Sequence, residues 1–143
     1  MNNLLRISEA TLLALHGMVY LVHRADRDIV SIKDMAVALN VSENHLSKVF
    51  QRMSKVGLVR SVRGPHGGFL LAMPPTRIRL FDIFTAIEGE FKIEECLLPK
   101  RICRKNMCIL GQLIGNINKE VLHYLKVKKL SDFKGIYKRD KTL

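Results

Sequence analysis

The sequence has no tryptophan, few aromatic residues and no long apolar run. Aromatic residues make up 6% of the 143 residues, which disfavours a large β-sandwich because strands favour aromatic side chains. No stretch approaches the roughly 18 uncharged apolar residues that a membrane helix needs. At the N-terminus, no basic segment leads into an apolar stretch with a cleavage site. We therefore expect a single cytoplasmic domain that has no membrane partner.

Acidic residues are scarce relative to basic ones. The chain has 24 Lys and Arg against 13 Asp and Glu, which gives a formal net charge of +11. An excess of this size in a small chain indicates a polyanionic partner, nucleic acid first and an anionic membrane surface second. The plainer alternative is a basic surface that serves only solubility.

The patterns that mark common enzymes are missing as well. The sequence has no Ser-His-Asp arrangement, no nucleophile elbow and no pair of carboxylates at helical spacing in a plausible cleft. It also has no Cys-x-x-Cys motif, so a thiol-disulfide enzyme has little support. We predict a binding protein rather than an enzyme.

Apolar periodicity predicts a mainly helical fold with a small β-hairpin. Ser8 and Ser42 are suited to begin helices as N-caps, and Gly57 and Gly89 to end them. After Gly57 the apolar period changes from that of a helix to that of a strand. The predicted helices cover residues 8–23, 32–39, 42–56, 80–87 and 109–125, and the predicted strands cover residues 58–62 and 69–72. Residues 25–28 read as a loop, and the chain is expected to fray from Lys126.

This pattern divides the chain into four parts. Residues 1–89 form a winged helix-turn-helix domain with an additional N-terminal helix, and residues 90–108 form a cysteine-containing loop. Residues 109–127 form a long helix with a continuous apolar stripe, which is suited to dimerisation. Residues 128–143 form a basic tail.

The third helix and the hairpin have the side chains that DNA recognition needs. An α-helix fits the major groove, where Asn and Gln pair with adenine edges and Lys with guanine. The segment from Ser42 to Arg63 contains five basic residues and one acidic residue, Glu43. The glycine-rich turn at 64–68 lies between two strands, so it does not match a nucleotide-binding loop. The candidate DNA-binding residues are Ser42, Asn44, His45, Lys48, Gln51, Arg52, Arg60, Arg63, His66 and Gly67.

Three motifs make the sequence similar to a known family. They are Val-Ser-Glu-Asn-His-Leu-Ser-Lys-Val at 41–49, Gly-Leu-Val at 57–59 and Val-Arg-Gly-Pro-His-Gly-Gly-Phe at 62–69. Together they strongly resemble the IscR/NsrR (Rrf-type) family of bacterial transcription regulators, and the Asn-His-Leu-x-Lys-Val string is most similar to its nitric-oxide-responsive branch. The resemblance runs from about Ile7 to about Leu125. It implies a homodimer that binds double-stranded DNA at a palindromic operator.

The three cysteines lie close together in the sequence. Cys96, Cys103 and Cys108 have spacings of six and four intervening residues, which differ from a zinc ribbon. Three thiolates in an irregular loop suit an iron–sulfur cluster, and neighbouring basic residues would offset its charge. The alternative is three free, redox-active thiols. The resemblance implies a two-iron or four-iron cluster, because many family members carry three cysteines at this place.

A three-cysteine site needs a fourth ligand. One branch of the family uses a His three residues after the last Cys, but Gly111 occupies that position here. Other branches use an acid or a His from the first helix of the partner subunit. His16, and after it Glu9 on the same helical face, are the candidates that the resemblance implies.

The resulting prediction is a transcription regulator, most simply a repressor, whose operator affinity depends on an iron–sulfur cluster. Nitric oxide, redox state and iron–sulfur status remain open as the signal. The alternative is a regulator of the same fold that has no cluster and senses through thiols or a protein partner.

Overall fold

The computed structural model describes residues 7–24, 29–93, 96–104 and 107–137. These residues form a mainly helical domain with a two-stranded antiparallel hairpin. The elements are α1 Glu9–His23, α2 Ile32–Leu39, α3 Glu43–Lys55, β1 Val59–Val62, β2 Gly68–Leu71, α4 Leu80–Glu88 and α5 Leu113–Val127, with short 3₁₀ helices at Pro75–Arg77 and Leu130–Phe133. None of the helices in the described ranges is long and apolar enough to traverse a bilayer. The loop predicted at 25–28 lies outside those ranges.

The first helix lies at the centre of the core. Ala14 and Met18 are fully buried, and α1 contacts both α3 and α4. The close approach to α3 depends on Gly17, because a Cβ atom there would lie 2.5 Å from Cε2 of Phe50. The additional N-terminal helix is therefore an integral part of the DNA-binding domain.

Side-chain caps determine where the first three helices begin, and the sequence predicts two of them, at Ser8 and Ser42. The hydroxyl of Ser8 accepts the Thr11 N–H, and that of Ser31 accepts the Asp34 N–H at 3.0 Å. Ser42 accepts the backbone N–H of the third residue after it at 3.3 Å, which begins α3. Each cap satisfies a backbone donor that has no partner within its helix.

The hairpin is extended by a short piece of chain from outside it. Val59 pairs with Leu71 and Val62 with Gly68. Val30 then forms two hydrogen bonds with Phe69, each 2.9 Å long, on the other side of β2. This bridge fixes the hairpin to the segment that leads into α2.

The fifth helix begins later than the sequence predicts. Residues 109–112 form a turn and α5 starts at Leu113, where the apolar periodicity indicated a start at 109. Gly111 has a φ of +56° and donates its N–H to the Cys108 carbonyl at 3.0 Å. This left-handed residue ends the turn before the helix begins.

The predicted fraying from Lys126 is wrong for residues 126–137. The helix α5 continues to Val127, and the next ten residues, 128–137, cross back over the domain; we call them the C-terminal clasp. Leu130 is fully buried and donates its N–H to the Ile78 carbonyl at 2.8 Å. Apolar side chains between the lysines hold the clasp on the core, and residues 138–143 lie outside the described ranges.

Candidate nucleic-acid interface and cysteine segment

The pair α2 and α3 forms the helix-turn-helix. Asn40 adopts the left-handed conformation, with φ 54° and ψ 50°, and this lets the chain turn within two residues before Ser42 caps α3. Four apolar residues of α3 are buried in the core: Leu46, Val49, Phe50 and Met53. The opposite face of α3 therefore points away from the domain.

Most of the predicted base-reading residues lie on that outer face. Ser42, Asn44, Lys48 and Gln51 are exposed. His45 is only partly exposed, and its Nδ1 lies 3.9 Å from Oε1 of Glu9 on α1. The exposed Asn44 and Gln51 side chains can reach base edges, although Nε2 of Gln51 also donates to the Ser47 hydroxyl at 3.4 Å. His45 instead lies between the outer face of α3 and α1.

Arg52 has a different environment from the other basic residues of α3. Its Nη2 donates a hydrogen bond to the Ile87 carbonyl in the last turn of α4. Its charge also lowers the pKa of Glu88, the next residue. The structure therefore places Arg52 as a link from α3 to α4, although the sequence grouped it with the DNA-binding residues.

The hairpin presents basic side chains at its tip. Arg63 and His66 at the tip are exposed, and so is Arg60 within β1. Within the described ranges, Lys48 and the two arginines form no ion pair with a carboxylate. Their charges remain available to phosphate groups. This suits the hairpin as a wing beside α3, the candidate recognition helix.

The glycines of the wing have a steric purpose inside the domain. A Cβ atom on Gly68 would lie 2.1 Å from the Val30 carbonyl oxygen, and one on Gly67 would lie 2.3 Å from the Val62 carbonyl oxygen. Gly67, predicted as a DNA contact, is therefore required by the wing itself. Its backbone N–H is already bonded to the Gly64 carbonyl at 3.0 Å.

A carboxylate network that the sequence did not reveal joins α4 to α1. The N–H of Ser8 and the hydroxyls of Ser8 and Thr11 all donate to Oε1 of Glu88. Burial would raise the pKa of Glu88, but these hydrogen bonds and the Arg52 charge outweigh it and hold the pKa below its ordinary value. The ionised carboxylate thus connects the start of α1, the end of α4 and, through Arg52, the recognition helix.

The cysteine segment runs from Gly89, where α4 ends, to the start of α5. Cys96, Cys103 and Cys108 are free thiols and each is half-buried. Lys100, Arg101 and Arg104 are exposed around them. Within the described ranges, no three His, Cys, Asp or Glu side chains are gathered as a ready-made metal site. The described part of the segment thus supplies suitable donors that are not assembled into a ligand set.

The two predicted first-helix ligands lie on the surface of α1. Glu9 is exposed beside His45. His16 is also exposed, and its Nδ1 lies 3.2 Å from the hydroxyl oxygen of Tyr137 in the C-terminal clasp. Neither side chain contributes to the core, so both are accessible to a partner subunit.

Comparisons with known proteins agree with this architecture. The regulator NsrR of Bacillus licheniformis is 31% identical over 126 residues, covering 86% of this chain and 85% of that protein. CymR of B. subtilis, described as a global cysteine regulator, superposes with a TM-score of 0.76 at 26% identity, over 93% of this chain and 98% of that one. IscR of T. potens has a TM-score of 0.69 at 26% identity, with 89% and 84% covered.

These similarities confirm the winged-helix fold, the family resemblance and the prediction that the chain is not an enzyme. The model of the Rrf2 family, described as an iron-dependent transcriptional regulator, matches residues 7–134. The chain therefore belongs to the Rrf2 family of DNA-binding transcriptional regulators.

Proposed function

We propose that the protein is a cytoplasmic, homodimeric repressor that binds a palindromic operator and senses through an iron–sulfur cluster. The observation that carries this proposal is the position of the cysteine segment. It begins directly after α4, and the last turn of α4 contacts the recognition helix through Arg52. A change at the cysteines therefore has a short physical route to the DNA-reading surface.

The exposed face of α3 supplies sequence recognition. Asn44, Lys48 and Gln51 would meet base edges in the major groove, and Arg63 and His66 of the wing would meet phosphates or the minor groove. A dimer would place two such units on one duplex, which is why we propose a palindromic operator. A dimer bound there would exclude other proteins from the promoter.

We propose that α5 forms the contact between the two subunits of the dimer. Leu113, Tyr124 and Val127 are about half exposed on this helix, although apolar side chains of this size favour burial. Ile117 and Val121 lie between them and are partly buried. A second copy of α5 would cover this stripe.

The donor set fits an iron–sulfur cluster. Three half-buried free thiols lie on irregular backbone, where thiolates can converge from several directions. Cys96, Cys103 and Cys108 would hold the group, and His16 or Glu9 of the partner subunit would provide the fourth ligand. A bound cluster would supply iron that reacts with nitric oxide or oxygen, and either the two-iron or the four-iron form is compatible with this donor set.

The experiment compares the wild type with three single variants, Cys96→Ala, Cys103→Ala and Cys108→Ala, all purified without oxygen. A random duplex pool yields the preferred operator. We expect each variant to lose bound iron, sulfide and visible absorbance, and to change its operator affinity. Met107→Ala is the matched control, since it changes an exposed side chain of the same segment. A cysteine variant with full iron and sulfide content would remove that cysteine from the site.

A second candidate function is regulation through thiols, or a protein partner, without a cluster. The similarity to CymR, the absence of a gathered ligand set within the described ranges, and the three free thiols favour it. A colourless protein after anaerobic purification and iron reconstitution would support this function. Operator binding that then responds to thiol oxidation alone would establish it.

A further inference from the structure

Tyr137 has two polar contacts with His16, although 121 residues separate them in the sequence. The Tyr137 hydroxyl donates to the His16 carbonyl oxygen at 2.8 Å, and the same hydroxyl oxygen lies 3.2 Å from Nδ1 of His16. A phenol has one proton to donate. When the carbonyl, at the shorter distance, takes that proton, the hydroxyl oxygen is left to accept from Nδ1. This geometry predicts that Nδ1 carries the imidazole proton and that Nε2 carries the lone pair.

Tyr137 is held in this position by the rest of the clasp. Leu130 anchors the clasp in the core, and the Tyr137 ring packs against two further rings of α1. Its centroid lies 5.8 Å from that of His23, edge to face, and 6.3 Å from that of Tyr20. The hydroxyl is thus placed by the packing of its ring against α1 and not by its contacts with His16 alone.

The His16 side chain lies on the surface of α1 and is not enclosed by the core. His16 is exposed, whereas Ala14, Gly17 and Met18 around it are buried. Metal-binding histidines generally donate one ring N–H to a neighbouring oxygen, and this fixes the tautomer and aims the other nitrogen. The contact between Tyr137 and His16 has this arrangement.

We propose that Tyr137 is a positioning residue, which fixes His16 as the Nδ1–H tautomer and so makes Nε2 available to ligate the iron–sulfur cluster of the partner subunit. The inference has two halves. The tautomer half states that Tyr137 fixes His16 as the Nδ1–H form, and it does not depend on the proposed function. The ligand half states that Nε2 ligates the cluster, and it rests on the proposed function. If Tyr137 only packed the clasp against α1, its hydroxyl would need no partner other than the His16 carbonyl, which accepts its proton. The tautomer of His16 therefore distinguishes positioning from packing.

The first measurement is the tautomer of His16 in the full-length, cluster-free protein. Nitrogen chemical shifts are recorded by NMR well above the ordinary imidazole pKa of about 6.5. We expect the Nδ1–H form in the wild type and a shift toward the Nε2–H form in Tyr137→Phe, which keeps the ring. Tyr20→Phe is the matched control, because it removes a hydroxyl from the same aromatic group. Unchanged nitrogen shifts in Tyr137→Phe would overturn the proposal.

The second measurement is the lifetime of the reconstituted cluster in the presence of an iron chelator. We expect the lifetime to shorten about tenfold or more in Tyr137→Phe, as in His16→Ala, and to be unchanged in Tyr20→Phe. An unchanged lifetime in either Tyr137→Phe or His16→Ala would overturn the ligand half. A wild type that takes up no cluster would defeat the proposed function and the ligand half together, and the NMR result would still decide the tautomer half.

Discussion

Replacing Gly17 by alanine tests the packing that positions the recognition helix. The new Cβ atom would lie 2.5 Å from Cε2 and 2.8 Å from Cζ of Phe50, and 3.2 Å from the sulfur of Met35. Both neighbours are completely buried, so neither can rotate into solvent to make room. The contact can be relieved only if α1 and α3 move apart or if Phe50 leaves its rotamer.

The magnitude follows from two opposing effects. Overpacking of a core costs about 1–3 kcal/mol, and the higher helix propensity of alanine returns roughly 1 kcal/mol. We therefore expect Gly17→Ala to lower the free energy of unfolding by up to about 2 kcal/mol. For a chain of this size, each kcal/mol lowers the melting temperature by roughly 2–4 °C. Operator affinity should fall as well, because Phe50 belongs to α3.

The assay is urea unfolding at one fixed chain concentration, since a dimer's stability depends on concentration. The matched control is Gly115→Ala in α5, where no atom lies within 4 Å of the added Cβ. The control should gain up to roughly 1 kcal/mol from helix propensity alone. If Gly17→Ala is as stable as wild type and binds the operator equally well, the packing argument is refuted.

Three further predictions concern DNA binding, assembly and pH. Lys48→Ala or Arg63→Ala should weaken operator binding and lower its salt slope by about one unit, whereas Lys119→Ala on α5 should leave both unchanged. Ile117→Glu should put a charge in the α5 contact and shift the protein to monomers in sedimentation at low concentration; a persistent dimer would exclude this contact. The hydrogen bonds to Glu88 lower its pKa in the folded state below the ordinary value of 4.5. The ionised carboxylate therefore stabilises the fold at pH values above 4.5, and this stability is lost as the pH falls through the folded-state pKa. The stability difference between wild type and Glu88→Gln should therefore shrink in acid, and a difference that stays constant would contradict the network.

The sequence predicted the elements whose limits depend on local chemistry. The caps at Ser8, Ser31 and Ser42 act on the next three residues, so the starts of α1, α2 and α3 were predicted to within a residue. The start of α5 was not predicted correctly, because the apolar periodicity continues through 109–112 although Gly111 turns the backbone there. The clasp was missed because lysines surround Leu130, and only the tertiary contact with Ile78 shows that it is buried.

The wing glycines show how a correct motif received an incomplete explanation. The sequence placed the glycine-rich turn at 64–68 between two strands but did not show why glycine is needed there. At Gly68 the reason lies within the chain itself, since the Val30 carbonyl fills the place of a side chain. The pairing of Val30 with Phe69 joins residues 39 positions apart, and neither strand pattern in the sequence indicated it.

Arg52 shows why the candidate site could be only partly predicted. On a helical wheel it lies off the apolar stripe of α3, as Lys48 does, and both side chains are exposed. The two residues differ in their neighbours. Arg52 lies beside the end of α4, where it donates to the Ile87 carbonyl and interacts with the charge of the Glu88 carboxylate. One helix therefore carries Lys48 on its outer face, which we propose reads DNA, and Arg52 on the side that contacts the last turn of α4. Under the proposed function, a shift at the end of α4 would reach α3 through Arg52 and would leave the side chain of Lys48 exposed for DNA.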